Sequence, residues 1–164
     1  MTFSSIIYPA VFVFGAVIGS FLNVCIIRIG QHESIVSPGS RCPRCKSAIA
    51  FYDNIPLFSY LFLSGRCRSC GERISFRYFI VELLMASLSV ALYYQFGLSL
   101  AFAVGFVFVA ALIVISFIDL DVRIVPDVIS LPGIIAGLVF SVVGRYLVGD
   151  PFELVPSLSR LEYT

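Results

Sequence analysis

The stretch LSLAFAVGFVFVAALIVISFI, residues 98 to 118, decides the fold of this chain, because it runs for 21 residues without a charged side chain. An α-helix of that length is about 30 Å long, which matches the hydrocarbon core of a bilayer. Lipid offers no partner for unpaired backbone groups, so a single spanning segment of this kind has to be helical. The stretch is therefore predicted to be a transmembrane α-helix.

Three further stretches are long and apolar enough to cross a bilayer, namely Ile6–Ile29, Tyr78–Phe96 and Val128–Val148. No basic residue precedes the first and no A-x-A-like site follows it, which favours a retained span over a signal peptide. Apolar residues make up 59% of the chain and charged residues 13%, against roughly 45–50% and about 25% in soluble domains. The sequence thus predicts an all-α, polytopic helical membrane protein with about four transmembrane helices. Its net charge of +1 gives no general attraction to nucleic acid.

The polar part of the chain lies between the first two spans, at residues 30 to 77. It contains seven basic and three acidic residues, so the positive-inside rule places it in the cytoplasm. The predicted units are a first transmembrane helix, a cytoplasmic domain, three further transmembrane helices and a polar tail, at residues 6–29, 30–77, 78–148 and 149–164. The connection between the third and fourth spans, residues 119 to 127, then faces the cytoplasm as well.

Two C-x-x-C pairs are the strongest local motif of the polar domain: Cys42-Pro-Arg-Cys45 and Cys67-Arg-Ser-Cys70. Each pair lets two thiolates reach one ion from a tight turn, and two pairs complete the closed tetrahedral shell of a structural zinc knuckle. Redox-active pairs or free thiols are the alternative, and iron accepts the same four ligands as zinc. A reduced cytoplasm favours the metal. The fifth cysteine, Cys25, is predicted to be a buried apolar filler and the single histidine, His32, to be solvated.

Four acidic residues lie at or inside the predicted membrane boundary: Asp119, Asp121, Asp127 and Glu82. Asp119 directly follows the apolar stretch, and Pro126 is expected to stop the helix. Carboxylates at a lipid boundary are costly and so are candidates for function, although solvated interfacial charges are the alternative. Glu82 lies inside the second span and is expected to face the bundle interior, where a structural ion pair or hydrogen bond is the alternative to catalysis.

Together these residues resemble the type IV prepilin peptidases (prepilin leader peptidase/N-methyltransferase). The motifs that carry the resemblance are Gly19-Ser-Phe-Leu-Asn-Val24, the two C-x-x-C pairs, Asn54-Ile-Pro-Leu-Phe-Ser-Tyr60, Ile74-Ser-Phe-Arg-Tyr78 with Val81-Glu82, and Asp119-Leu-Asp-Val-Arg-Ile-Val-Pro-Asp127. The resemblance implies an aspartic-type endopeptidase of the bacterial inner membrane, which cuts the leader from type IV prepilins or pseudopilins after a Gly at the cytoplasmic face. It also implies methylation of the new N-terminus with S-adenosylmethionine. The family pattern D-x6-P-[ND] assigns the first catalytic aspartate to Asp119, with Asp121 and Asp127 in supporting positions.

One family motif has no counterpart in this sequence. The second catalytic aspartate of the family lies in a G-x-G-D motif, and the nearest string here is Val148-Gly149-Asp150. An aspartic peptidase needs two facing carboxylates, one neutral and one ionised. We therefore expect the chain to correspond to an N-terminal portion of such an enzyme and to be inactive alone.

Two alternatives stand beside this expectation. A dyad rebuilt from Asp119 with Asp127 or Asp150 is disfavoured by Pro126 and by a bilayer about 30 Å thick. A non-enzymatic membrane scaffold, whose zinc knuckle binds a cytoplasmic partner, is the alternative class of function.

Overall fold

The computed structural model describes residues 4–31, 33–36, 39, 41–42, 44–50, 53, 55–123 and 126–148. Its five helices are α1 (Ser4–Gly30), α2 (Phe58–Phe62), α3 (Arg77–Phe96), α4 (Leu100–Val122) and α5 (Asp127–Val148). The described residues contain no β-strand beyond two isolated bridges, which confirms the helical class. His32, Asp150 and the predicted polar tail 149–164 lie outside the described residues.

Three helices of the described part are long and apolar enough to cross a membrane: Ile6–Gly30, Arg77–Phe96 and Leu100–Asp121. They correspond to the first three predicted spans. The helix α5 begins where the fourth span is predicted, and its described side chains include a shorter apolar stretch, Ile129–Val139. A fourth crossing by α5 therefore stays a prediction.

Helices α1 and α3 pack tightly because α1 presents glycines to its neighbour. A Cβ atom on Gly19 would lie 2.7 Å from the Cα of Glu82, and one on Gly15 would lie 2.8 Å from the Cα of Ala86. Small residues at such positions allow helix backbones to approach within a membrane. The rings of Tyr8 and Tyr93 meet edge to face near the other end of the pair, with centroids 5.2 Å apart. The two helices are therefore antiparallel.

The main core lies where α1, α3 and α4 meet. Its buried side chains are Leu22, Cys25, Ile26, Val81, Met85, Ile113, Val114 and Ile118. The position of Cys25 in this core confirms the prediction that it is a buried filler. The buried Asn23 also joins the helices near this core, because its Nδ2 donates to the Tyr78 carbonyl at 3.0 Å.

The end of α4 differs from the predicted boundary at Ile118. The helix continues to Val122, where Arg123 adopts a left-handed conformation (φ 55°) and its N–H donates to the Asp119 carbonyl. Asp119 and Asp121 therefore lie in the last turn of a helix and not in a loop. Pro126 follows the end of α4 and precedes the first residue of α5, as expected for a residue that cannot continue a helix.

A short helix, α2, is an element that the sequence pattern does not predict. Its residue Tyr60 contacts the rings of Phe76 and Phe79 at the start of α3, with centroids 6.1 and 5.6 Å apart. The Tyr60 hydroxyl also donates to the Ile74 carbonyl at 3.3 Å. Five residues are too few to show a helical period, so the pattern contains no signal for this helix.

Candidate metal centre and membrane-face carboxylates

The two C-x-x-C pairs form two turns of the same design. In the first, the Cys42 N–H donates to the Ser47 carbonyl at 3.0 Å and Lys46 has a positive φ of 58°. In the second, the Cys67 N–H donates to the Glu72 carbonyl at 2.8 Å and Gly71 has a φ of 71°. Each turn is closed by one bridge between flanking residues, Arg41 with Ala48 and Arg66 with Arg73. The same backbone geometry thus presents both cysteine pairs.

The four sulfur atoms converge on one point. They all lie within 4.8 Å of one another, and the Sγ atoms of Cys42 and Cys70, from different turns, are 3.8 Å apart. Zn–S bonds of about 2.3 Å in a tetrahedron place neighbouring sulfurs about 3.8 Å apart. All four cysteines are free thiols. The described residues contain one such cluster, and its size and donor set fit a tetrahedral metal ion.

Hydrogen bonds from neighbouring groups and desolvation shift the pKa values of Cys45, Cys67 and Cys70. Hydrogen bonds from the side chain and backbone of Ser47 lower the pKa of Cys45 to about 6. The backbone N–H groups of Cys70 and Ser69 lower the pKa of Cys67. The Glu72 N–H lowers the pKa of Cys70, but desolvation and the neighbouring thiols outweigh it and raise that pKa to about 12. The thiols of Cys45 and Cys67 therefore ionise more readily than a free cysteine, and a bound cation would further favour the thiolate form of its ligands.

Two ion pairs hold the knuckle together. Arg44 of the first turn pairs with Glu72 of the second. Arg68 binds Asp53 with two nitrogens, Nε to Oδ2 at 2.8 Å and Nη2 to Oδ1 at 2.6 Å. This hydrogen bonding lowers the pKa of the Asp53 carboxyl. The second pair connects the Cys67–Cys70 turn to the segment that leads into α2.

The three aspartates at the end of α4 and the start of α5 have different surroundings. Asp121 forms an ion pair with Arg77, the first residue of α3. Asp119 is exposed, and its side chain makes no hydrogen bond or ion pair with the residues that the structure describes. Asp127 lies in the first turn of α5, where the helix dipole favours a negative charge. The Arg77–Asp121 pair joins the end of α4 to the point where the chain leaves the knuckle.

Glu82 is buried, as predicted, with 7% of its surface exposed. Its Oε2 accepts a hydrogen bond from the Leu57 N–H at 2.7 Å. One partner is thus the backbone of the segment before α2. The Ser20 side chain of α1 also hydrogen-bonds to the carboxylate, which agrees with the predicted partner on a neighbouring helix. Nothing in the sequence around Leu57 marks it as a partner for a carboxylate 25 residues later.

The apolar helices and the four converging thiols belong to a helical membrane protein that could hold a metal ion at the end of the bundle where α3 begins and α4 ends. Two family models match the chain, the bacterial peptidase A24 N-terminal domain over residues 13–96 and the type IV leader peptidase family over residues 106–159. The chain belongs to this family of bacterial A24 peptidases. No solved structure matches it significantly.

Several curated relatives carry the name prepilin leader peptidase/N-methyltransferase. The relative from Myxococcus xanthus is 48% identical over 127 residues, which cover 77% of this chain and 38% of that protein. The Bacillus subtilis relative is 40% identical over 71% of the chain and 47% of its own length. The Klebsiella pneumoniae relative is 36% identical over 83% of the chain and 62% of its own length. The chain thus spans about half the length of the curated relatives it matches, and their names do not favour the scaffold alternative.

Proposed function

We propose that this chain supplies the knuckle and one of two catalytic carboxylates of a membrane aspartic-type endopeptidase that removes the leader of type IV prepilins or pseudopilins. The observation that carries the proposal is the ion pair between Asp121 and Arg77. It connects the end of α4, which bears Asp119, to the first residue after the knuckle. A substrate held by the knuckle would therefore lie near the carboxylate.

Asp119 is the proposed catalytic residue on this chain. In an aspartic peptidase a neutral and an ionised carboxyl group face each other across a water, and the ionised one takes a proton from that water. Asp119 is exposed to an approaching group, whereas Asp121 is engaged by Arg77. We assign the second carboxylate to the part of the relatives that this chain does not span, and expect the chain alone not to cleave prepilin. Glu82 and Asp127 are proposed to support the site and not to react.

The proposed orientation places the knuckle in the bacterial cytoplasm. The 30–77 region has seven basic and three acidic residues, which favours the inner side of the plasma membrane. The antiparallel arrangement of α1 and α3 keeps both ends of that region on one face. The leader of an inserted prepilin would then be available to the same face.

Zinc is the proposed ion at the four thiols, in a structural role. The sulfur spacing supports a tetrahedral ion, and four protein ligands leave no position open for water or substrate. The ion would hold the two turns in register and supply no step of the cleavage. S-adenosylmethionine is proposed as the methyl donor of the whole enzyme. The support for this proposal is the relatives' name, which includes N-methyltransferase. Transfer of a labelled methyl group from S-adenosylmethionine to a processed pilin would test the proposal.

The proposed function is tested by joining this chain to the remaining portion of the Myxococcus xanthus relative and measuring leader removal from a prepilin in membranes. The joined enzyme is expected to cleave, and its Asp119→Asn variant and this chain alone are expected not to. Cleavage by this chain alone would contradict the assignment of the second carboxylate. An inactive joined enzyme that is nevertheless stably inserted and metal-loaded would contradict the proposed peptidase function.

A further inference from the structure

The segment that includes α2 lies beside the membrane helices and not above them. Leu57 is buried in one cluster with Ala16 of α1 and Ala86 of α3. Ala86 is nine residues beyond the start of α3, which corresponds to about 13 Å along the helix axis. Because the 20 residues of α3 span about 30 Å, close to the hydrocarbon thickness, this cluster lies within the level of the membrane.

The backbone N–H groups of this segment have hydrogen-bond partners, as an environment without water requires. Non-helical backbone at membrane depth is tolerated only where its polar groups find partners. Leu57 donates its N–H to the carboxylate of Glu82 at 2.7 Å and holds a positive φ of 63°, which a residue with a side chain rarely adopts. Nearby N–H groups are also paired: Ile55 to Ser59 Oγ at 3.1 Å, Phe58 to the Pro56 carbonyl at 2.7 Å, and Ser59 to the Ile55 carbonyl at 3.0 Å.

The outer face of α2 is largely apolar and exposed, and Phe58 and Phe62 border a groove whose far wall holds the Asp53–Arg68 ion pair. Tyr60 turns inward to α3, while Phe58, Leu61 and Phe62 are 59%, 63% and 85% exposed. The helix itself, FSYLF, has no charged residue. Because Tyr60 packs on Phe76 and Phe79 at the start of α3, this face lies near the membrane boundary, where an exposed apolar surface favours contact with lipid.

The same face continues into the lipid-facing surface of α1. A groove of about 640 Å³ is lined by α1 on one side and by residues 55 to 58 on the other. Val13, Val17 and Phe21 of its α1 wall are each at least half exposed on a helix that spans the membrane. Lipid that covers this part of α1 is therefore in reach of Ile55 and Phe58.

Basic side chains follow directly after α2. Arg66 and Arg73 flank the second knuckle turn and are both exposed. Such charges at a membrane surface attract anionic headgroups. Along the chain, an apolar helix is followed by basic residues. From the middle of a leaflet outward, acyl chains are likewise followed by headgroups, so the two sequences match.

We propose that the segment Ile55–Leu63 is a re-entrant membrane anchor, whose outer face (Phe58, Leu61 and Phe62) inserts into the lipid leaflet on the knuckle side. Glu82 is its positioning residue, because it holds Leu57 against the spanning helices. The anchor fixes the metal site at the membrane surface. This proposal does not depend on the catalytic assignment of Asp119.

Tryptophan fluorescence tests the anchor directly, since the chain has no tryptophan of its own. Phe62→Trp and Val36→Trp form a matched pair, because both native side chains are 85% exposed in the protein. The full chain would be placed in nanodiscs of phosphatidylcholine and phosphatidylglycerol, with and without acyl chains brominated near the headgroup. Phe62→Trp is expected to show several-fold stronger quenching by brominated lipid than Val36→Trp and several-fold weaker quenching by iodide. Equal iodide quenching of the two variants would overturn the proposal. Protection of Phe62→Trp from both quenchers would also overturn it, because protein and not lipid would then cover this face.

The role of Glu82 is tested in the Phe62→Trp background. Glu82→Leu removes the acceptor and is expected to raise iodide quenching several-fold, whereas Glu82→Gln keeps an acceptor oxygen and is expected to leave it unchanged. Metal content provides the check that the knuckle still forms in both variants. Unchanged quenching in Glu82→Leu would show that Glu82 does not hold the anchor.

Discussion

Single residues bring the four thiols together through their backbone conformation. Each sulfur pair is presented by a turn with one left-handed residue, Lys46 in the first and Gly71 in the second. The turn directs both thiols of a pair to the same point, and the Arg44–Glu72 pair joins the two turns. The site is thus assembled from two local structures of the same design.

The four thiols and the fifth cysteine are expected to behave differently on substitution. Cys42→Ser removes a ligand, and the bound ion is expected to fall from one per chain to near none, because three thiolates leave the shell open. Cys25→Ser is the matched control, since Cys25 is buried in the helix core away from the cluster. Metal analysis of the purified variants checks the prediction. Retention of the ion by Cys42→Ser together with its loss from Cys25→Ser would contradict the assignment of ligands.

The sequence predicts some residues of the site better than others, for a physical reason. The C-x-x-C spacing is local, so convergence of Cys42, Cys45, Cys67 and Cys70 could be predicted from it. The partners of Glu82 and Asp121 depend on tertiary contacts across 25 and 44 residues. Burial of Glu82 could be predicted from its apolar neighbours, but the identity of its partner could not. The roles of Asp119 and Asp127 stay predictions from the family pattern.

At the scale of elements, the contact between α1 and α3 depends on the absence of a side chain at Gly19. A Cβ atom there would meet the backbone of Glu82, which cannot turn away as a side chain could. Gly19→Ala is therefore expected to destabilise the helix pair by about 1–3 kcal/mol. Thermal unfolding in detergent measures the effect.

A glycine on α5 is the control for that substitution. A Cβ atom on Gly137 would have no neighbour within 4 Å among the described residues, and alanine favours the helix over glycine. Gly137→Ala is expected to leave stability unchanged or slightly raised. Equal losses of stability in the two variants would show that the close approach of the helices at Gly19 does not account for the effect of Gly19→Ala.

The limits of the long helices could largely be predicted from the sequence pattern. The spans α1, α3 and α4 begin and end within a few residues of the predicted limits, because long apolar runs bounded by polar residues leave one solution in a membrane. The end of α4 lies one turn beyond its predicted limit, since Asp119 and Asp121 are polar and yet helical. The segment before α2 could not be predicted to reach membrane depth, because the Leu57–Glu82 hydrogen bond that places it is not a local feature.

At the scale of the whole molecule, the antiparallel helices put the knuckle and the aspartates at one end and the turn at Gly97 at the other. The excess of basic residues in 30–77 predicts that the knuckle end is cytoplasmic. Alkaline phosphatase fused after Gly97 is expected to be active, because it needs the oxidising periplasm to form its disulfides. Fusions after Val36 or Arg123 are expected to be inactive. The reverse pattern would place the aspartates on the side where the proposed substrate has no leader.

The rate of leader removal by the joined enzyme tests the proposed role of Asp119 as the catalytic carboxylate on this chain. Asp119→Asn and Asp121→Asn are the same change two residues apart on one helix turn, and Asp121 is the one engaged by Arg77. Asp119→Asn is expected to lower the rate on the order of a thousandfold or more, as for other residues that react directly, while Asp121→Asn keeps most of it. Full activity of Asp119→Asn, or a loss confined to Asp121→Asn, would show that Asp119 is not the catalytic carboxylate.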